Sequence, residues 1–359
     1  MKRRSFLAQA GAGLATSTFA AQAIAQPAPQ VRWRLASSFP KTLDTIYGAG
    51  AFFCERVGKL TDGKFEITPY AAGQIVPGLQ VLDAVQQGTV ECGHTASYYY
   101  VGKNKAFAFG CAIPFGLTSR QQSAWEYAGG GLELLRDFYK EYGIVHFPAG
   151  NTGTQMGGWF RKEIKTVADL KGLKMRIPGI GGEVMARLGV VAHTRPGGEV
   201  YAALERGVID AAEWIGPYDD EKLGLYKVAK HYYYPAFWEG GTEICVMINT
   251  AQWDKLPKLY QEAVESAAAE AHVKMQALYD AKNPIALKSL IANGVKLHPF
   301  SRDLLRAAEK AAFELYETEA AKNSAFKKLY EPWKAFRAQQ YEWFGVAELA
   351  FSSFASSGK

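Results

Sequence analysis

Apolar and polar positions alternate at Val31-Arg32-Trp33-Arg34-Leu35-Ala36, the two-residue period of a strand with one covered face. A helical pattern over residues 45–60 follows, closed by Thr61-Asp62-Gly63. The pattern then predicts a strand over 64–70, a short helix over 79–87 stopped at Gly88, and strands over 89–95, 143–148 and 173–177, the last closed by Pro178-Gly179. Strands alternating with helices imply an α/β architecture with largely parallel pairing. From Thr242 the texture changes: a strand over 243–249, a long Ala-, Glu- and Lys-rich helix over 253–280, a second helix over 284–293 and a short strand over 295–297. Residues 302–330 read as helical, and Pro332 as the first turn of a final helix.

The segment from Gln80 to Glu91 has a counterpart from Glu199 to Asp210, with Val, Ala and Gly in register and an apolar residue and an acid at the end. Each copy reads as helix, glycine stop, strand, which is what two lobes built on one βαβ scheme produce. If so, the strands after Gly88 and Gly207 end at equivalent places. Ligands of open α/β sheets bind beyond the carboxyl ends of strands, so residues 94–100 and 213–218 are expected to face each other across a cleft.

The 359-residue length suits two such lobes. The chain opens with Lys2-Arg3-Arg4-Ser5-Phe6-Leu7, an Ala- and Gly-rich apolar stretch and Ala23-Ile24-Ala25. That is a secretory leader over residues 1–25, and its paired arginines point to the Tat route and a periplasmic destination. Lys and Arg total 41 against 35 Asp and Glu, three of the basic residues lying in the leader. The remaining charge of about +3, without a basic stripe, does not imply nucleic acid. Cys54, Cys92, Cys111 and Cys245 form no CxxC pair and stand at no zinc-ligand spacing to His; buried, unpaired thiols are favoured over up to two disulfides, which an oxidising compartment allows.

Catalytic motifs are missing: no GxSxG, HExxH or phosphate-binding loop occurs. Gly179-Ile180-Gly181-Gly182 faintly resembles a dinucleotide loop before a helix over 183–188, but its glycine spacing is wrong. Arg176 closes a strand beside the cleft, where a guanidinium fork matches a carboxylate; the alternative is a solvated strand-end charge. Asn151-Thr152-Gly153-Thr154-Gln155 offers amide groups or simply a linker. Glu213, among Ala211, Ala212 and Trp214, needs a cationic partner if buried, whether an Arg, an ammonium or a metal ion. With Glu239 and the Gln155 oxygen it gives an all-oxygen set, suited to Na⁺ or Ca²⁺ rather than zinc.

Three strings, residues 34–40, 96–100 and 213–222, together with 169–179 and 203–213, resemble TRAP-transporter solute receptors, and among them the 2-oxo acid-binding subgroup. The resemblance covers essentially the whole mature chain. It implies a two-lobed periplasmic-binding-protein-like α/β fold with hinge strands, a long lobe-spanning helix and a C-terminal helical extension. The implied lobes are residues 26–150 with about 242–283, and 151–241 with about 284–325; residues 326–359 form the extension, a possible element of subunit exchange. The implied activity is binding, not catalysis: a small monocarboxylate (a 2-oxo acid such as pyruvate or 2-oxobutyrate, or a 2-hydroxy acid such as lactate) held by Arg176 and handed to a membrane permease. The resemblance also implies a bridging Na⁺ or Ca²⁺ ligated by Gln155, Glu213, the Trp214 carbonyl and Glu239, with Asn151 and a tyrosine of Tyr98, Tyr99 and Tyr100 bonded to the ligand. A homodimer through the C-terminal helix is implied as well. The face formed by Phe326, Leu329, Tyr330, Trp333 and Phe336 suits either a partner helix or the chain's own lobe. Two rivals remain: an exported enzyme acting on a small carboxylic acid, and an amino-acid receptor in which Glu213 meets the ammonium without a metal.

Overall fold

β1 (Val31–Ser37) buries Trp33 and Leu35 and turns Arg32 and Arg34 outward, as the alternation requires. A computed structural model describes residues 29–358; the leader assigned to residues 1–25 lies outside them. After β1 come α1 (Ile46–Leu60), β2 (Phe65–Tyr70), α2 (Val81–Gln86), β3 (Cys92–Thr95), the helix pair α3 (Ser119–Ala128) and α4 (Gly131–Lys140), and β4 (Ile144–Asn151). The chain then supplies β5 (Gly158–Phe160), β6 (Lys174–Arg176), α5 (Gly179–Arg187), β7 (Val191–His193), α6 (Gly197–Glu205), β8 (Ala211–Ala212), α7 (Pro217–Leu223) and β9 (His231–Tyr234). It returns through β10 (Glu243–Asn249), α8 (Thr250–Trp253) and α9 (Lys258–Ala292), and ends in β11 (Lys296–Pro299), α10 (Arg302–Lys322), α11 (Ser324–Phe344) and α12 (Ala350–Ser357).

Two sheets result, one per lobe, with strand orders β2-β1-β3-β10-β4 and β11-β9-β5-β8-β6-β7. Pairing is less parallel than the sequence suggests. β10 runs antiparallel to β3 and β4, and β5 antiparallel to β8 and β9. The reason is topological. The other strands point their carboxyl ends at the cleft, and a chain that crosses between lobes enters the new sheet from that side, so it must run the opposite way.

The internal echo is structural. Gly88 and Gly207 both adopt φ of +70°, a left-handed stop open to glycine. Beyond them the Thr89 N–H donates to the Ala84 carbonyl at 2.8 Å, and the Val208 N–H to the Ala203 carbonyl at 2.9 Å. β3 and β8 then end at the cleft, although β8 is only two residues long, shorter than the pattern implies.

Two expectations along the helical segments need correction, and one left open is decided. The stretch from 253 to 293 holds one long helix, α9, which passes through Pro284 without ending. Proline removes the donor to the Asp280 carbonyl, but both flanks are held. Glu270 pairs with Arg56 of α1, while Asn283 and Ser289 bond to Tyr218 and Glu221 of α7. The later break falls at Asn323, whose side chain accepts from the Phe326 N–H and caps α11; Pro332 lies inside that helix. Finally, the face at 326–336 packs on the chain's own aromatic side chains, with Phe326 and Trp333 against Phe109 and Tyr330 against Tyr316. The exposed apolar residues lie further on, at Trp343, Val346, Leu349, Phe351 and Phe354. The four cysteines are buried and unpaired. No helix among the described residues is long and apolar enough to cross a membrane.

Candidate ligand and cation site

Residues following β3 and β8 line one cavity between the lobes. Ala96, Tyr98 and Tyr99 come from the first lobe; Arg176, Trp214 and Ile215 from the second; Thr152, Gln155, Thr242 and Ile244 from the crossing segments and the strand they lead into. Phe39 and Ile46 close the apolar end. The space between these residues amounts to about 240 Å³, part of it continuous with solvent, and the lobes meet beside it, where the Gly179 backbone packs on the Tyr98 side chain.

Arg176 ends β6, and its side chain is 1% exposed. Its Nε donates to the Arg195 carbonyl at 3.2 Å and Nη1 to the Glu213 carbonyl at 2.9 Å. Nη1 also meets Glu213 Oε1 in a close ion pair. The guanidinium lies 4.8 Å from the Trp214 ring centroid. Nη2 has no partner among the described residues. Arg176 is thus a buried, oriented fork with one nitrogen unspent, not a solvated strand-end charge.

Glu213 is fully buried, and its Oε2 has no hydrogen-bond partner among the described residues. Burial pushes its carboxyl above the ordinary range; Arg176 opposes this, and the nearby Glu239 adds to it. Burial likewise raises Glu239 to about 7, against a hydrogen bond from Thr242 that lowers it.

Gln155 is oriented by two threonines. The Thr152 hydroxyl donates to the Gly153 carbonyl at 2.9 Å and the Thr242 hydroxyl to Glu239 Oε2 at 2.6 Å. Having given their protons away, both hydroxyls can only accept, and each accepts from Gln155 Nε2, at 3.1 and 2.9 Å. The amide end of Gln155 is therefore fixed, and Oε1 is left buried without a partner.

Unpartnered buried polar groups are uncommon. Here one donor, Arg176 Nη2, and one acceptor, Gln155 Oε1, belong to residues that line the cavity, and a second acceptor, Oε2, belongs to Glu213, ion-paired with Arg176. The donor fits a carboxylate. The acceptors fit a hard cation, whose charge would offset the two carboxylates and reverse the upward drift of both. Among the described residues no group of three or more His, Cys, Asp or Glu could hold a metal ion, so any cation here draws on amide and backbone oxygens as well as carboxylates.

Other expected residues are placed differently. Asn151 is not among the residues lining the cavity; its Oδ1 accepts from the Gly153 N–H at 2.9 Å and its Nδ2 lies 3.5 Å from the Gly241 carbonyl. Tyr100 turns into the first lobe, bonded to Thr95 and the Leu82 N–H. Gly179, at φ +65°, opens α5 facing Tyr98 across the lobes; a Cβ there would lie 3.1 Å from the Tyr98 side chain, and one on Gly181 2.9 Å from Trp238. The glycine run serves close packing, not a dinucleotide.

Sequence reasoning missed the two orienting threonines, which carry no motif, and the paired aspartates behind the site. Asp220 accepts from Trp159 Nε1, the Tyr232 hydroxyl and the Ile215 N–H, and Asp219 from the Tyr279 hydroxyl. They anchor the loop that carries Glu213 and Trp214. Their place in the string 213–222 was the one available signal.

Two α/β lobes, joined by crossing strands and closed over a charged cavity, define a periplasmic-type solute-binding protein. Residues 36–323 match the family described as bacterial extracellular solute-binding protein, family 7, and the chain belongs to that family. Membership makes it a receptor rather than an enzyme, of periplasmic type. It is 53% identical, over the full length of both chains, to the monocarboxylate 2-oxoacid-binding periplasmic protein of a Nostoc species. A TRAP transporter solute-binding protein from Bordetella bronchiseptica, a mixed-occupancy dimer with copurified calcium and picolinate, is 52% identical. It superposes with a TM-score of 0.91, over 92% of this chain and 98% of that one. A TRAP periplasmic protein from Pseudoalteromonas atlantica, with bound sodium and pyruvate, is 39% identical with a TM-score of 0.88, over 90% and 99%.

Proposed function

We propose that the chain is the extracytoplasmic receptor of a TRAP transporter for a small 2-oxo monocarboxylate such as pyruvate, or its 2-hydroxy counterpart, gripped by Arg176 and bridged to the protein by Na⁺ or Ca²⁺. The observation that carries this reading is a cavity lined by Arg176 and Gln155, whose Nη2 and Oε1 are buried and unpartnered, with a third unpartnered atom, Oε2, on the Glu213 that is ion-paired to Arg176. Pyruvate or picolinate lies with sodium or calcium in the similar Pseudoalteromonas and Bordetella proteins.

In this reading Arg176 takes the ligand carboxylate, with Tyr98 or Tyr99 beside it. Gln155, Glu213, the Trp214 carbonyl and Glu239 hold the cation, which supplies positive charge where two carboxylates are buried. Phe39, Ile46, Ile215 and Ile244 exclude water and leave room for a short chain only. The lobes comprise residues 26–150 with about 242–283 and 151–241 with about 284–325. The leader over residues 1–25 directs Tat export, the closed form delivers ligand to the membrane permease, and the extension over 326–359 supports a homodimer through its exposed end.

Calorimetry of the mature chain with pyruvate and calcium tests this. Tight, saturable binding that weakens after chelation in sodium-free buffer is expected. Equal affinity without any cation would remove the metal, and no heat with 2-oxo or 2-hydroxy acids would overturn the ligand class.

A further inference from the structure

Outside the cavity, a second polar cluster joins the lobes. Asp44 lies between β1 and α1 in the first lobe. Tyr218 and Lys222 lie on α7 in the second, and Lys282 on α9, two residues before Pro284. The Tyr218 hydroxyl donates to Asp44 Oδ2 at 3.0 Å, and Lys282 Nζ reaches the same oxygen at 3.4 Å. Lys222 Nζ meets Asp44 Oδ1 in a close ion pair. Lys282 Nζ also donates to the Tyr218 hydroxyl at 3.0 Å. The two ammonium groups lie 4.5 Å (Lys222) and 4.4 Å (Lys282) from the Tyr218 ring centroid.

We infer that Asp44, Tyr218, Lys222 and Lys282 form an interlobe latch that holds the closed form and sets the rate of ligand release. The inference rests on the binding reading above but uses none of its residues. None of the four lines the cavity, so the latch acts on closure and not on ligand contact. Its partners come from opposite lobes, so opening separates Asp44 from Tyr218 and Lys222, and the interaction exists in one state only. That difference is what shifts a two-state equilibrium. The latch is also wired to the site. α7 begins at Pro217, directly after the Glu213–Gly216 loop, and its Asp219 bonds to Tyr279 of α9. Correct seating of that loop carries Tyr218 and Lys222 to Asp44.

The groups are partly exposed, with Asp44 at 50% and each lysine at 32%, so the latch is modest and screened by salt. A network of this kind supports about a three- to tenfold effect. That salt sensitivity separates it from a purely structural role.

The experiment compares the wild-type chain with Asp44→Asn, Lys222→Met and the double variant. Lys59→Met serves as control, since its pair with Glu55 lies within α1. In stopped flow with pyruvate and calcium, the dissociation rate of Asp44→Asn should rise about three- to tenfold at low salt, with the association rate little changed. The difference should shrink at high salt, and the double variant should be no worse than Asp44→Asn. Unchanged dissociation, or a salt-independent rise, overturns the latch. Spin labels on the two lobes report the closed fraction of the chain as purified, whatever ligand it holds. That fraction should fall in Asp44→Asn and Lys222→Met and stay at the wild-type value in Lys59→Met. An unchanged fraction overturns the latch. Failure of wild type to bind pyruvate overturns the ligand assignment instead, and the label distances still decide the latch.

Discussion

Arg176→Lys separates charge from geometry at the centre of the site. The native guanidinium spends Nε on the Arg195 carbonyl and Nη1 on the Glu213 carbonyl and carboxylate, leaving Nη2 for a ligand. A lysine ammonium is one nitrogen on a flexible stem. It still faces Glu213, but it cannot also reach the Arg195 carbonyl and a carboxylate in the cavity. At least one charge-assisted hydrogen bond to the ligand is lost, worth about 1.5–3 kcal/mol. That corresponds to an affinity about ten- to a hundredfold weaker. Because a cation still opposes Glu213, the fold should hold. Arg176→Ala is a poorer probe: it abolishes binding but also strands a buried carboxylate, at a cost of about 3–5 kcal/mol. Calorimetry with pyruvate in calcium gives the affinity, and scanning calorimetry of each ligand-free variant gives the stability. An Arg176→Lys affinity within twofold of wild type, at unchanged melting temperature, would refute the assignment of the carboxylate to Arg176.

Glu239→Gln removes one of two carboxylates from the oxygen set, so calcium-supported affinity for pyruvate should fall by more than sodium-supported affinity; equal losses would place Glu239 outside the cation's reach. Burial lowers the His94 imidazole from 6.5 to about 3. A depressed folded-state value gives stability that is full above pH 6.5 and is lost as pH falls toward 3, at about 1.4 kcal/mol per pH unit inside that window. Urea unfolding of wild type and His94→Asn should therefore show a stability gap that narrows by about 2–3 kcal/mol between pH 6.5 and 4.5; a constant gap would contradict burial of a neutral ring. A chain ending at Gln340 removes the exposed apolar run Trp343, Val346, Leu349, Phe351 and Phe354 and should be monomeric by light scattering, while pyruvate affinity stays near wild type.

Local pattern carried much of this protein. β1, α1, β2 and β10 follow from alternation, periodicity and turn residues, and Gly88 and Gly207 announced two equivalent helix stops because a left-handed residue is a local requirement. The strand-end position of Arg176 and the isolation of Glu213 among apolar neighbours were legible for the same reason, and the resemblance of residues 169–179 and 203–222 to solute receptors gave both a purpose. What the sequence could not decide depended on partners far away along the chain. Tyr98 and Tyr99 face the cavity while Tyr100 serves the first lobe, since one step along a tight turn redirects the side chain. Asn151 turns its carboxamide to the Gly153 and Gly241 backbone, and Gln155 presents oxygen only because Thr152 and Thr242 have donated their protons elsewhere. α9 survives Pro284 because both of its flanks are held, and the antiparallel runs of β5 and β10 come from where the chain crosses the cleft. Sequence by itself determined the pieces and the charged residues set at their ends, because those are fixed by near neighbours. Tertiary structure decided which polar atoms were left over, because that depends on hydrogen bonds closed across the fold.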